Sequence, residues 1–296
     1  MDKLIAYFTT IPDSHRIMML TGSIFLFWNI ENILPITFNY KKWRHAGVNV
    51  LFVFPAAIVQ GILGWALVKT LDWEAVTHWG ILQKVPFIAE NPLTMLIVSF
   101  VALDFCEYVY HVLMHKFKTL WMFHLVHHAD RVVDVSSTLR EHPGETFIRL
   151  SFLILWIFIL GVPFWALLCR QFIQIASNVF AHANFRLPEK VDKIVSLVFV
   201  TPNMHHVHHH FEVPYTDTNY GDILSIWDRM FGTFSTLSAE KVTFGVDTYM
   251  NIEENANFIN LIKIPFQEYR PNPKSAILPK EDKNYVTENE ELLIAN

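Results

Sequence analysis

The stretch PLTMLIVSFVALDFCEYVYHVLMH, residues 92–115, decides how the chain is read. It opens as an apolar run from Pro92 to about Val112, and a bilayer span needs roughly 20 such residues. It ends on His111 and His115, spaced H-x-x-x-H. Residues three and four apart share a helix face, so both imidazoles point one way. Asp104 lies two helical turns before His111 and Glu107 one turn before it, on the same face. Ionisable side chains inside a span are costly and usually functional. The segment therefore predicts a membrane helix that delivers a polar, histidine-bearing face to one side of the bilayer.

Working outward, two more groups share this spacing. His124, His127 and His128 read H-x-x-H-H, and His205, His208 and His209 repeat the pattern. His182 stands alone between them. Imidazole is the commonest side-chain metal ligand and suits iron, copper, zinc and nickel. Eight or nine imidazoles are too many for one ion and about right for two. The remaining histidines are more ordinary. His15, His45 and His78 read as core or surface residues. His206 and His210 lie off the main register, although spacing alone equally allows His206, His209 and His210 as the third group. His142, in Arg140-Glu141-His142-Pro143, sits where proline starts or breaks a helix.

Composition agrees with a membrane location. Of 296 residues, 52% are apolar and only 17% charged, against about 25% charged in soluble domains. Besides 92–112, apolar runs extend from Ile17 to about Phe38, from Val48 to Val68 and from about Ile148 to Leu168. The last continues into a semi-apolar piece, Phe172 to Phe180, too short to span alone, so 148–180 reads as a hairpin or re-entrant pair. Lys41, Lys42 and Arg44 place their loop in the cytoplasm by the positive-inside rule. With a hairpin at 148–180, every histidine group meets at that face. No cleavable signal peptide is expected. Cys106 and Cys169 give no disulfide framework and fit a reduced compartment. A net charge of −5 gives nucleic-acid binding no support. The expected fold is all-α: an integral membrane helix bundle of about four spans with a cytoplasmic helical cap. The expected units are membrane spans over 1–91, a catalytic domain over 92–240 and a cytoplasmic tail over 241–296. That tail turns polar from about Glu268 and reads as flexible.

A structural zinc site prefers four ligands, usually with cysteine, and a zinc hydrolase would leave most of these histidines unused. A haem carrier would use opposed single histidines on spans rather than clustered groups. Two redox metals at the mouth of a membrane bundle face lipid-soluble substrates, and activated oxygen is what attacks an unactivated C–H bond. Asp104 is read as an outer carboxylate that accepts a ligand histidine's free ring N–H. Glu107 is read as another such group, a ligand, or a charge at headgroup level. Asn178, four residues before His182, is read as holding a metal-bound water or capping a neighbouring backbone group.

The pieces DFCEYVYHVLMH from Asp104, WMFHLVHH from Trp121, TPNMHHVHH from Thr201 and NYGDILSIWDRMFGTF from Asn219 resemble the fatty acid hydroxylase/sterol desaturase superfamily over roughly 95–240. The resemblance implies integral membrane di-iron oxidases that use O2 and electrons from a separate donor. That donor is a reductase with ferredoxin or cytochrome b5, or a reduced pterin in ether-lipid-cleaving members. It implies metal ligands at His111, His115, His124, His127, His128, His182, His205, His208 and His209, which selects the register without His206. It makes His142 an outer or structural residue. Related hydroxylases carry a further histidine where this chain has Asn178. The implied reaction is hydroxylation or desaturation of a fatty acyl, sterol or related lipid, with hydroxylation the simpler outcome.

Overall fold

The computed structural model describes residues 1–270 apart from Phe38. The proline-bearing polar stretch that follows lies outside the described residues. Among those described, regular structure is helical, with only two isolated β-bridges. The helices are α1 (Asp2–Thr9), α2 (Asp13–Ile33), α3 (Lys42–Leu51), α4 (Val53–Thr77), α5 (Pro86–Ala89), α6 (Pro92–Lys116) and α7 (Lys118–His128). There follow α8 (Pro143–Leu160), α9 (Phe164–His182), α10 (Glu189–Val195), α11 (Pro202–His208), α12 (Ile226–Met230), α13 (Ile252–Asn255) and α14 (Phe258–Lys263).

Among the described residues, three helical runs are long and apolar enough to cross a membrane: 42–84, Pro92–Lys116 and Pro143–Leu160. The protein is an integral membrane protein. Trp43 and Trp73 lie exposed near the two ends of the α3–α4 run. They are thirty residues apart, about 45 Å at 1.5 Å per residue. That matches a bilayer with its headgroup layers, where tryptophan concentrates. Between them Phe54, Ile58, Ile62 and Trp65 face outward. The first expected span, 17–38, is α2. It is 21 residues long but holds Asp13, Arg16 and Glu31, and it is not among the three.

The expected run 148–168 is cut in two. Helix α8 ends at Gly161, whose φ of +70° suits glycine. Val162 and Pro163 turn the chain, and Pro163 caps α9. The hairpin leaves the histidine end and returns to it, so His182 arrives beside the other groups. Loop residue Gly80 presses on this turn: a Cβ there would lie 2.1 Å from Gly161 Cα. Gly80→Ala is therefore expected to destabilise the bundle by about 1–3 kcal/mol, the usual range for overpacking. An unshifted thermal midpoint in detergent would contradict that contact.

Local signals start the helices that carry the site. Asn91 caps α6, its side chain accepting from Leu93 and Thr94 N–H, with Pro92 at the first helical position. His142 caps α8 by accepting from Gly144 N–H, and Thr201 caps α11 by accepting from Met204 N–H. Helix α7 buries Trp121, Met122, Leu125 and Val126 against Phe52, Val246, Tyr249, Leu261 and Ile264. Residues 241–270 thus include a segment folded onto the histidine-bearing helix.

Candidate metal centre

The nine histidines singled out in the sequence come together in two groups. His111, His115, His124, His128 and His208 form the first, and His127, His182, His205 and His209 the second. Within each group one ring nitrogen per residue lies within 4.8 Å of the others. The groups abut: His128 stacks on His209 with ring centroids 4.5 Å apart. Adjacent positions on α7 split between them, because His127 and His128 project about 100° apart on a helix.

Most of the rings are held from outside. In the first group, His111 Nδ1–H donates to Tyr220 O at 2.9 Å, and His208 Nδ1–H to Thr218 O at 2.7 Å. His124 Nδ1–H donates to Glu145 Oε1 at 2.6 Å, and His115 Nδ1–H to Asp217 Oδ1 at 3.3 Å. In the second, His127 Nδ1–H donates to Arg140 O at 3.2 Å, and His182 Nδ1–H to Asn178 O at 2.8 Å. A neutral imidazole has one N–H. Once it is given outward, Nε2 is a bare lone pair.

Those lone pairs face one another. His111 Nε2 lies 3.1 Å from His124 Nε2, and His127 Nε2 lies 3.1 Å from His182 Nε2. Neither pair has a proton to share. Two nitrogens about 2.1 Å from one ion at a right angle stand about 3.0 Å apart. The spacing is that of neighbouring ligands to a common cation. Nε2 of His115 and of His208 is likewise buried without a hydrogen-bond partner. Burial pushes the rings of His124, His127, His128, His205, His208 and His209 well below the usual histidine range. They are neutral, as metal ligands must be.

The off-register histidines stay out of both groups. His206 packs on Phe244, and His210 Nδ1 accepts from Thr243 N–H. The alternative third group of His206, His209 and His210 therefore has no geometric basis.

The four other residues singled out in the sequence go elsewhere, and Glu107 belongs to neither group, lying against Gln174 and the Arg170–Asp222 pair. Asp104 makes no hydrogen bond to His111. Its carboxylate accepts from Ile223 N–H, Leu224 N–H and Trp227 Nε1–H, at 3.1, 3.2 and 2.8 Å. On α6 it faces the 223–227 segment, which sequence spacing cannot reveal. Asn178 gives its side-chain N–H to Asp222, and only its carbonyl serves His182. His142 caps α8 and pairs with Ile262 O.

Sequence reasoning missed the outer carboxylates Glu145 and Asp217. Glu145 opens α8 and Asp217 lies in a short turn, and their partners His124 and His115 sit on other helices. It also passed over His45, which bridges Asp130 at 2.8 Å and Asp134 at 3.0 Å. Burial opposes ionisation of Asp130, but His45 and Arg140 together hold its carboxyl well below the usual range. Arg140 is buried and ties the site to its surroundings. Its guanidinium donates to Val126 O, Asn49 Oδ1 and Asn255 O.

Glu145→Gln should keep the shape beside His124 while removing the charge. Loss of an outer partner costs roughly 10–100-fold in metal affinity. Chelator competition should show the first group releasing metal more readily. Identical retention would remove that role.

Over residues 96–233 the sequence matches the fatty acid hydroxylase family. The chain is similar to alkylglycerol monooxygenase of Danio rerio, 35% identical over 159 residues, half of this chain and 32% of that protein. It is similar to an ornithine lipid hydroxylase of Rhizobium tropici, 30% identical over 47% of this chain and 41% of that protein. A cholesterol 25-hydroxylase-like protein of Danio rerio is 27% identical over 54% of this chain and 64% of that protein. Each match spans less than two thirds of the relative. No solved structure matches the chain. The matched region contains all nine histidines with Glu145 and Asp217. His45 and the 246–264 segment lie outside it and pack against it.

Proposed function

We propose that the protein carries out O2-dependent oxidation of a lipid, with hydroxylation of a C–H bond as the first reading, at a centre of two irons. The observation that carries it is the facing of bare Nε2 lone pairs inside two adjacent buried histidine groups. His111, His115, His124, His128 and His208 would hold one metal, and His127, His182, His205 and His209 the other. Iron is preferred because the donors are nitrogens alone, neither cysteine joins a group, and the five donors of the first group exceed what zinc takes. Two irons bound there would supply reductive activation of O2 sufficient for an unactivated C–H bond.

The chain's own residues position and shield that chemistry. Glu145 and Asp217 draw on the N–H groups of His124 and His115, which makes those imidazoles stronger donors. The carbonyls of Arg140, Asn178, Thr218 and Tyr220 fix four more rings. His124, His128, His205, His208 and His209 are buried, so bulk water is kept from the reacting position. Asn178 acts on the second group through its carbonyl, which holds His182, and its side chain belongs to the Asp222 network.

The centre is assigned to the cytoplasmic face. The basic stretch Lys41–Arg44, at the start of α3, lies at the histidine end, because His45 reaches Asp130 just after α7, and basic residues beside a span favour the cytoplasm. Electrons would come from a separate donor, a reductase with ferredoxin or cytochrome b5. The likeness to alkylglycerol monooxygenase favours a second reading of the same site, a pterin-dependent monooxygenase of ether lipids. Purified protein supplied with iron, O2, a reductant and membrane lipid extract tests both. Incorporation of one labelled oxygen atom from O2 into a lipid supports the reading. Lipid turnover that proceeds equally without O2 would contradict it.

A further inference from the structure

A second feature does not depend on the metal. Ile194, Leu197, Val198, Phe199, Met230 and Phe231 are large apolar residues, each 45–71% exposed. They come from two parts of the chain that are bound together. Ser225 N–H donates to Val198 O, Arg229 donates to Ser196 O, and Phe199 bridges to Leu224. The six therefore form one surface rather than scattered singles. A contiguous apolar patch of this kind on a folded surface marks an interaction site.

Its position says what covers it. Phe231 packs on α6 against Phe105 and Tyr108, with ring centroids 5.9 and 5.5 Å away. Trp227 joins from the same side, 5.0 Å from Phe105. Below this point α6 shows an outward apolar stripe, Leu93, Ile97 and Val101, each four residues from the next. Phe105 is the next position of that stripe, and there Phe231 takes over the outward face, with Trp227 buried beneath it. Phe105 is eleven residues short of Lys116, about 16 Å along the helix. The patch is thus continuous with the lipid-facing side of a spanning helix and lies well inside that helix's length. Its rim is charged: Glu189, Lys190 and Lys193 on α10 are exposed, with Lys193 paired to Glu189 at 2.7 Å, and Arg229 is exposed beside them. Apolar side chains beneath a rim of long charged side chains suit a segment lying in the membrane interface.

We propose that residues 194–199 and 229–231 form a wedge immersed in the acyl-chain region of the histidine-side leaflet. The wedge holds α11, which begins at Pro202, against that leaflet. The bundle thereby contacts lipid through a non-spanning element as well as through its spans.

The test is label accessibility in lipid nanodiscs. Val198→Cys and Phe231→Cys each receive a nitroxide, with Leu197→Cys as a third position should either substitution disturb the fold. Lys193→Cys reports the rim, and the unsubstituted protein gives the background from Cys106 and Cys169. Oxygen partitions into hydrocarbon, and a nickel chelate stays in water. Labels at 198 and 231 should relax mainly with oxygen, and the label at 193 mainly with nickel. Nickel-dominated relaxation at 198 and 231 would overturn the proposal by placing the patch in water. Shielding from both agents with dipolar broadening between labels would overturn it by placing a second copy of the chain there.

Discussion

The His208→Ala protein is expected to lose lipid turnover and metal from the first histidine group while the bundle stays folded. His208 belongs to the first group through a buried Nε2, and its Nδ1–H is committed to Thr218 O. Alanine removes a donor that no neighbour can replace. Three of the other four rings, His111, His124 and His115, are already fixed by Tyr220 O, Glu145 and Asp217. His206→Ala is the matched control. It is equally buried and two residues away, but it packs on Phe244 and contributes to neither group. Its truncation should cost stability, about 1–3 kcal/mol for a buried side chain, with metal per folded chain unchanged. Metal analysis and turnover on both variants decide the register. Equal metal loss in both would undo the assignment, and full activity in His208→Ala would remove that residue from the centre.

The second large effect is expected at Asp104, and it falls on stability. Asp104 is fully buried, accepts three hydrogen bonds from 223–227, and has Arg170 4.0 Å away. Alanine would orphan three buried donors and leave Arg170 with Asp222 as its remaining carboxylate. Breaking such a buried arrangement costs roughly 3–5 kcal/mol. Asp104→Asn keeps one acceptor oxygen and should fall between. The segment that Asp104 holds begins just after Thr218 and Tyr220, whose carbonyls orient His208 and His111. Metal loss should therefore track unfolding rather than precede it. Thermal unfolding followed in parallel with metal content separates the two. Unchanged stability with weakened metal retention would restore a direct role at His111.

Much of the centre was legible because its spacing is helical. H-x-x-x-H and H-x-x-H-H put imidazoles on one face of a helix, and helices α6, α7 and α11 present them so. The choice between His206 and its neighbours needed the family resemblance, since both registers satisfy the same spacing. The partition into five and four could not be read, because it depends on how α7 sits between α6 and α11. Asp104 shows the limit of face arguments. It shares a turn pattern with His111, yet its carboxylate is claimed by the chain more than a hundred residues later. Glu145 and Asp217 were invisible for the same reason, as their partners are distant in sequence. The spans followed apolar length well for α4 and α6. Where the run 148–168 looked continuous, Gly161 and Pro163 broke it, and that break is what returns His182 to the site.

The most direct test of the central claim is metal content per chain, with a visible spectrum, on detergent-purified protein prepared with iron supplied. The arrangement of the two histidine groups predicts about two irons per chain without a haem Soret band. A single zinc, or bound haem, would contradict the two-iron centre and leave only the membrane fold standing.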